Sequence, residues 1–266
     1  MLEDAFFRKD KNRDIIDAER LPIDVPHYRE KAPDIYWRLL RLLGAPARKL
    51  HRVKIVNHKN LPRYGDGGVI IAGVHNAALD ACFISIAATS RGRSIRWVAD
   101  NDICETPVVG DIIKDLGCIP IASDKGRGTD PEQVRRALSA AREVIDDGGT
   151  VGLFPEGRIM PVFERARTFP FKTGIIRLAI ETGAPIIPAW AEGADAIFPW
   201  LTPISAVGLK FYLTLPLWTP VTVRVHFGKP FFVDKKLTLE SSREELKKEA
   251  AWLQQQAEEM MLGYKD

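Results

Sequence analysis

Cysteine is scarce in this 266-residue chain: Cys82, Cys104 and Cys118 are an odd number without a CxxC pair. A disulfide framework is excluded, no His/Cys cluster has zinc-site spacing, and a reducing, cytoplasmic setting is expected. Long apolar runs are missing too. The most apolar stretch, residues 196–225, is broken by Pro199, Pro203, Pro216 and Pro220 and carries Lys210 and Arg224, whereas a spanning helix needs about 20 largely uninterrupted apolar residues. The opening MLEDAFFRKDKNRD lacks the apolar core of a signal peptide. No GxSxG elbow occurs, and Gly126-Arg127-Gly128 lacks the third glycine of a dinucleotide loop. A net charge of +3 is too small to argue for nucleic acid, and no such partner is expected.

Acidic residues are absent from one long stretch, 35–65, which holds eight Lys and Arg residues. It overlaps the apolar run Ile35, Tyr36, Trp37, Leu39, Leu40, Leu42 and Leu43 and reads as a basic, aromatic-bearing helix ending near Gly44 and Pro46. Such a helix suits an anionic membrane surface, with Trp37, Arg38, Arg41, Arg48, Lys49 and Arg52 as candidate docking residues. The competing reading is a solvated helix packed on the core. Residues 1–62 are therefore read as an N-terminal arm, irregular over its first 34 residues, plus this docking segment, and 63–266 as the body.

At this length a single α/β core buries roughly three quarters of the unfolded chain's surface. Short all-apolar runs bounded by turn residues, led by 69–73 (Val-Ile-Ile-Ala-Gly), predict buried parallel strands, with further strands near 95–98, 118–121, 150–154, 185–190 and 222–227 and a strand and turn over 53–62. Helical patterns separate most of them. Asp130-Pro131 and Gln133 open one helix, Thr106-Pro107 another that Gly117 closes, a third runs from Lys172 to Thr182, and Ser242-x-x-Glu245 caps the last. The fold class is thus α/β, a single domain with a mixed, mostly parallel sheet flanked by helices.

The strand at 69–73 runs into His75-Asn76-Ala77-Ala78-Leu79-Asp80, at the carboxyl end where ligand sites of α/β sheets lie. Residues five apart do not share a helix face, so His75 must sit in the turn before the helix for Asp80 to reach it. There Asp80 can fix the imidazole tautomer while the other ring nitrogen takes a proton from a hydroxyl. A second constellation, Phe154-Pro155-Glu156-Gly157-Arg158, is followed by Phe171-Lys172-Thr173-Gly174 and, after a helix, by Ala184-Pro185-Ile186-Ile187-Pro188. The other histidines, His27, His51, His58 and His226, have no carboxylate at a telling spacing, and Cys118 reads as a buried small hydrophobe.

These blocks, with Gly117-Cys118-Ile119-Pro120-Ile121 between the first two, resemble in order the glycerolipid acyltransferases that carry a His-x4-Asp motif, over roughly 61–234. The resemblance implies His75 as general base, Asp80 as its orienting partner, and Glu156, Gly157 and Arg158 as an acceptor-binding turn, with Lys172 and Pro188 among the substrate-binding residues. It implies a peripheral enzyme on the cytoplasmic face of a membrane. That enzyme would move a fatty acyl group from acyl-CoA or acyl carrier protein to a lysophospholipid, first of all 1-acylglycerol-3-phosphate. No metal and no cofactor beyond the acyl donor is implied. Two departures bear on the acceptor. Ala122-Ser123-Asp124 stands where the family commonly has an arginine, with Lys125 and Arg127 nearby, and Arg158 follows Gly157 where phosphatidate-forming members more often have a threonine. A glycolipid, an amino-acid lipid or another lysophospholipid remains an alternative acceptor, as does a non-catalytic lipid-binding role on the same fold.

Overall fold

Eight strands form one twisted sheet in the order β1-β2-β10-β7-β3-β6-β4-β5, seen in a computed structural model that describes residues 14–18, 33–107, 109–121, 131–160, 168–197, 204–206, 209–211 and 221–263. The strands are β1 (Ile15–Asp17), β2 (Lys54–Val56), β3 (Val69–Gly73), β4 (Ile95–Asp100), β5 (Ile119–Ile121), β6 (Thr150–Leu153), β7 (Ile186–Glu192) and β10 (Arg224–Phe227). A separate antiparallel pair, β8 (Ile204–Ala206) and β9 (Leu209–Phe211), lies within the apolar stretch. The central strands β7, β3, β6, β4 and β5 pair in parallel, as do β10 and β2, whereas β1 with β2 and β10 with β7 run antiparallel.

The all-apolar composition of β3 follows from burial on both faces. Val69 and Ile71 join the core beneath helix α3 (Asp80–Ala88), together with Phe83, Ile84 and Trp97. Ile70 and Ala72 face the other layer, built by α6 (Pro131–Asp146), α7 (Gly174–Thr182) and α8 (Arg243–Leu262). Each fully buried isoleucine contributes about 1.5–3 kcal/mol, so β3 is held firmly where its carboxyl end must present the site. Two short helices, α4 (Asn101–Cys104) and α5 (Val109–Asp115), follow β4 at that same end. At α8 the Ser242 hydroxyl accepts from the Glu245 amide and the Glu245 carboxylate accepts from the Ser242 amide, the reciprocal cap its sequence announces.

The N-terminal part differs from the sequence expectation in four respects. The arm is not wholly irregular: Ile15–Asp17 pair antiparallel with Lys54–Val56 and extend the sheet by one edge strand. No boundary falls at residue 62, because Val53, Ile55 and Leu61 pack in one core with Val69 and Ile71. The basic helix does not end at Gly44 and Pro46. Helix α1 (Asp34–Leu39) passes through a π-turn over Leu40–Gly44 into α2 (Ala45–Leu50). A proline ring clashes with the carbonyl four residues back in a regular helix, and the wider π-turn relieves that clash and the missing donor.

The fourth difference concerns which side of this helix faces out. Trp37 is buried, edge-on to Tyr36, whose hydroxyl accepts the Ile95 amide at 3.0 Å. Arg48 is buried as well and donates to the Ala18 carbonyl at 2.6 Å. Both side chains are turned inward, and the helix is tied to the sheet by Tyr36 at β4 and by Arg48 at the end of β1. Arg38, Arg41, Lys49 and Arg52 are exposed, next to the exposed Leu42 and Leu50. Among the described residues no helix is long and apolar enough to cross a membrane.

Candidate active site

β3 ends at Gly73, and residues 74–79 turn before α3 begins at Asp80. The turn is built by the aspartate itself. Asp80 is fully buried, and its Oδ2 accepts from the amides of Asn76 and Ala77 at 2.7 Å each and lies 3.2 Å from Nδ1 of His75. A carboxylate only accepts, so Nδ1 carries the proton and Nε2 is left as the ring's acceptor. Burial pushes the Asp80 carboxyl above its ordinary value, opposed first by His75 and then by the two amides. The first turn of α3 favours its negative charge.

The plane of the imidazole is fixed from the next strand. Phe154, just past β6, stacks on His75 at 3.8 Å between centroids and 15° between planes, and Trp97 of β4 stacks on the far side of Phe154 at 4.6 Å and 9°. Trp97 in turn donates from Nε1 to the Ser85 hydroxyl at 2.9 Å. Gly73 is required by this stack, since a Cβ there would lie 2.6 Å from the Phe154 ring. Phe154 is legible in the sequence only as the first residue of the 154–158 block, without a role of its own, and Trp97 is not marked there at all. The signal was the glycine closing an otherwise bulky strand, which marks a close approach.

Glu156 lies in the turn after β6, as the motif requires, but it is buried and both its oxygens are occupied. Oε1 accepts the His75 amide at 2.9 Å and Oε2 the Phe169 amide at 3.0 Å. It therefore braces the His75 backbone against residues 168–171. Burial raises its carboxyl above the ordinary range, against the pull of the Phe169 and His75 amides. The Met160 amide donates to the His75 carbonyl at 2.7 Å, so both backbone groups of the histidine are tied to this segment.

Gly157 turns the chain with φ of +70°, and a Cβ there would collide with Nζ of Lys172. Arg158 is exposed, its guanidinium 3.4 Å above the Phe169 ring. Arg158 and the exposed Lys172 thus put two cations around the one turn that also anchors His75. Pro188 does not belong to this rim. It is buried in β7 opposite Ala72, next to Gly228, and β7 alternation turns it to the layer of α8, away from α3. Lys125 and Arg127 lie outside the described residues. Cys118 packs against the core, and burial pushes its thiol up to about 11. His226 is buried in β10 with Nε2 3.0 Å from Glu192 of β7, a pairing between antiparallel strands that linear spacing does not disclose. Among the described residues no group of three His, Cys, Asp or Glu side chains could hold a metal ion.

A family model described as Acyltransferase matches residues 52–192, more than half of the chain and all of the geometry above from His75 to Lys172. The chain belongs to the acyltransferase family. Within this family it is similar to the chloroplastic 1-acyl-sn-glycerol-3-phosphate acyltransferase BAT2 of Brassica napus, at 27% identity over 149 residues, 56% of this chain and 40% of that protein. The chloroplastic LPAT1 of Arabidopsis thaliana is 25% identical over 149 residues, 56% of this chain and 38% of that one. An uncharacterised protein of Mycobacterium tuberculosis is 25% identical over 202 residues, 67% of this chain and 52% of that one. The chain thus spans about half or less of the length of these curated relatives. The acyltransferase fold is shared with the crystal structure of the 1-acyl-sn-glycerophosphate acyltransferase PlsC from Thermotoga maritima. The TM-score is 0.53 at 21% identity, over 85% of this chain and 81% of that one.

Proposed function

We propose that the protein is a membrane-surface O-acyltransferase that moves a fatty acyl group from a thioester, acyl-CoA or acyl carrier protein, to the free hydroxyl of a lysophospholipid, with 1-acylglycerol-3-phosphate as the leading acceptor. The observation that carries this reading is the His75–Asp80 pair, oriented by a fully buried carboxylate and standing beside a turn with two exposed cations. Nε2 of His75 takes the hydroxyl proton as the oxygen attacks the thioester carbonyl. Asp80 stabilises the imidazolium, and the proton leaves with the thiol when the tetrahedral intermediate collapses. Arg158 and Lys172 suit an acceptor phosphate, as the charges of a guanidinium and an ammonium do. The named relatives in plants, and PlsC by its fold, support the same acceptor class.

Arg38, Arg41, Lys49 and Arg52, flanked by Leu42 and Leu50, support docking on an anionic surface. Vesicles containing anionic lipid should bind the protein and release it at high salt, whereas indifference to lipid charge would remove this segment as the anchor. A panel of lysolipid acceptors with palmitoyl-CoA, read by released thiol, tests the function. Arg158→Ala should raise KM about 10- to 100-fold for a phosphate-bearing acceptor, the loss expected for a charged hydrogen bond, and hardly at all for monoacylglycerol. An equal effect on both would favour a neutral acceptor, and no thiol release with any lysolipid would reject the reading.

A further inference from the structure

The acceptor turn is not held only by its own segment of chain. Thr168 is buried and donates from its hydroxyl to Oε1 of Glu258 at 2.5 Å. Gln254, one helical turn earlier on α8, donates from Nε2 to the Thr168 hydroxyl at 2.9 Å and to the same Glu258 oxygen at 3.1 Å. The Oε1 of Gln254 accepts the Phe171 amide at 3.3 Å. Two side chains of α8 therefore grip both ends of residues 168–171.

What lies between those ends is Phe169, which serves the site twice. Its amide holds Glu156, whose other oxygen holds the His75 amide, and its ring carries the Arg158 guanidinium. Residues 254 and 258 lie far outside the stretch that matches the family model, 52–192. Spacing supports the arrangement: 254 and 258 are four apart on one helix and share a face, while Leu246, Ala250, Leu253 and Ala257 are buried in the core. The helix is thus anchored by its apolar stripe and turns this polar edge to the site loop.

We infer that Gln254 and Glu258, acting through Thr168, are positioning residues that set Phe169 and so hold Arg158 in place for the acceptor's phosphate. The inference rests on the lysophospholipid reading above. Loss of the grip spares the bonds of Asp80 within its own turn and the bond of Glu156 to the His75 amide, and of the contacts to His75 loosens only the far end of the Glu156 brace. It frees Phe169 and with it Arg158, so acceptor binding suffers before chemistry does.

Thr168→Val removes the hydroxyl at nearly constant shape, Gln254→Met removes both amide contacts and keeps a good helix former, and Thr168→Ser restores the hydroxyl. In Thr168→Val and Gln254→Met, amide exchange over residues 168–172, followed by mass spectrometry, should quicken about tenfold. KM for lysophosphatidate and its Kd should rise about tenfold, with kcat, KM for palmitoyl-CoA and the affinity for monoacylglycerol changed less than about threefold. Thr168→Ser should behave as the unaltered protein. Unchanged exchange in both variants overturns the inference. So does faster exchange with an unchanged lysophosphatidate KM and Kd, or a common fall of kcat and both KM values. An unaltered protein that neither binds nor acylates any lysophospholipid refutes the functional reading instead; the grip on residues 168–171 is then decided by exchange alone.

Discussion

Asp80→Asn separates charge from geometry at the catalytic pair. All three contacts of the carboxylate, with Nδ1 of His75 and with the amides of Asn76 and Ala77, end on Oδ2, whereas Oδ1 is buried with no hydrogen-bond partner among the described residues. An asparagine fits this asymmetry in one orientation. Its carbonyl oxygen must take the Oδ2 place, because an NH2 there would face two N–H donors, and the NH2 goes to the Oδ1 place. The turn and the imidazole tautomer survive; the charge does not. Two unit charges about 4 Å apart at an effective dielectric of 20 attract by about 4 kcal/mol, which sets the scale of what the carboxylate supplies to the developing imidazolium. At about 1.4 kcal/mol per factor of ten, kcat should fall at least tenfold and at most about 10³-fold. KM for both substrates should stay nearly constant, with the melting temperature tracked alongside. Steady-state thiol release from palmitoyl-CoA is the assay. A loss below threefold would mean that the charge is not used, and a fall in kcat accompanied by a raised KM or a lowered melting temperature would mean that the turn had been broken.

Two further perturbations address the support of the site. Glu156 is raised from an ordinary value of 4.5 by burial, so the unfolded chain ionises first as pH rises. Its contribution to stability is present in full below about 4.5 and is lost as pH climbs through the folded value. Glu156→Gln also leaves one amide, of His75 or Phe169, without its acceptor, at a cost of about 1–3 kcal/mol. Denaturant unfolding should therefore show the unaltered protein's advantage over the variant shrinking between pH 4 and pH 8; an advantage that grows with pH would reverse the assignment. Arg93 is fully buried before β4 and donates to the carbonyls of Pro62, Arg63, Gly67 and Gly148 and to the Thr150 hydroxyl, at the end of the sheet opposite His75. Arg93→Met should lower stability by at least about 3 kcal/mol in chemical denaturation and leave kcat per folded molecule unchanged. A stable but inactive variant would place Arg93 in the chemistry.

Much of this architecture is legible in the sequence because burial on two faces needs uninterrupted apolar runs. The runs at 69–73 and 150–154 mark β3 and β6, and the five-residue interval lets Asp80 reach His75 only from a turn before a helix. Periodicity says less about which side of a helix is covered. Trp37 and Arg48 lie on a basic stretch with a membrane-like composition, yet their burial is decided by Tyr36 reaching Ile95 and by Ala18 arriving with β1, contacts made across the sheet. A carboxylate in a substrate motif does not reveal whether its oxygens are free. Glu156 is occupied by two amides, one 81 residues earlier in the chain. Partners such as Glu192 for His226, or Gln254 for Thr168 at a separation of 86 residues, exist only once strands and helices are packed.

Acyl transfer by this site depends on His75 as the base. Its ring packs on Phe154 at the edge of the site and is 16% exposed, so His75→Ala should leave the fold and melting temperature close to those of the unaltered protein. Released thiol should be measured for both proteins with palmitoyl-CoA and 1-acylglycerol-3-phosphate at saturating substrate. A fall in kcat of about 10²- to 10⁴-fold is expected for the loss of a general base. A folded His75→Ala protein that keeps most of its acyl transfer would contradict the account.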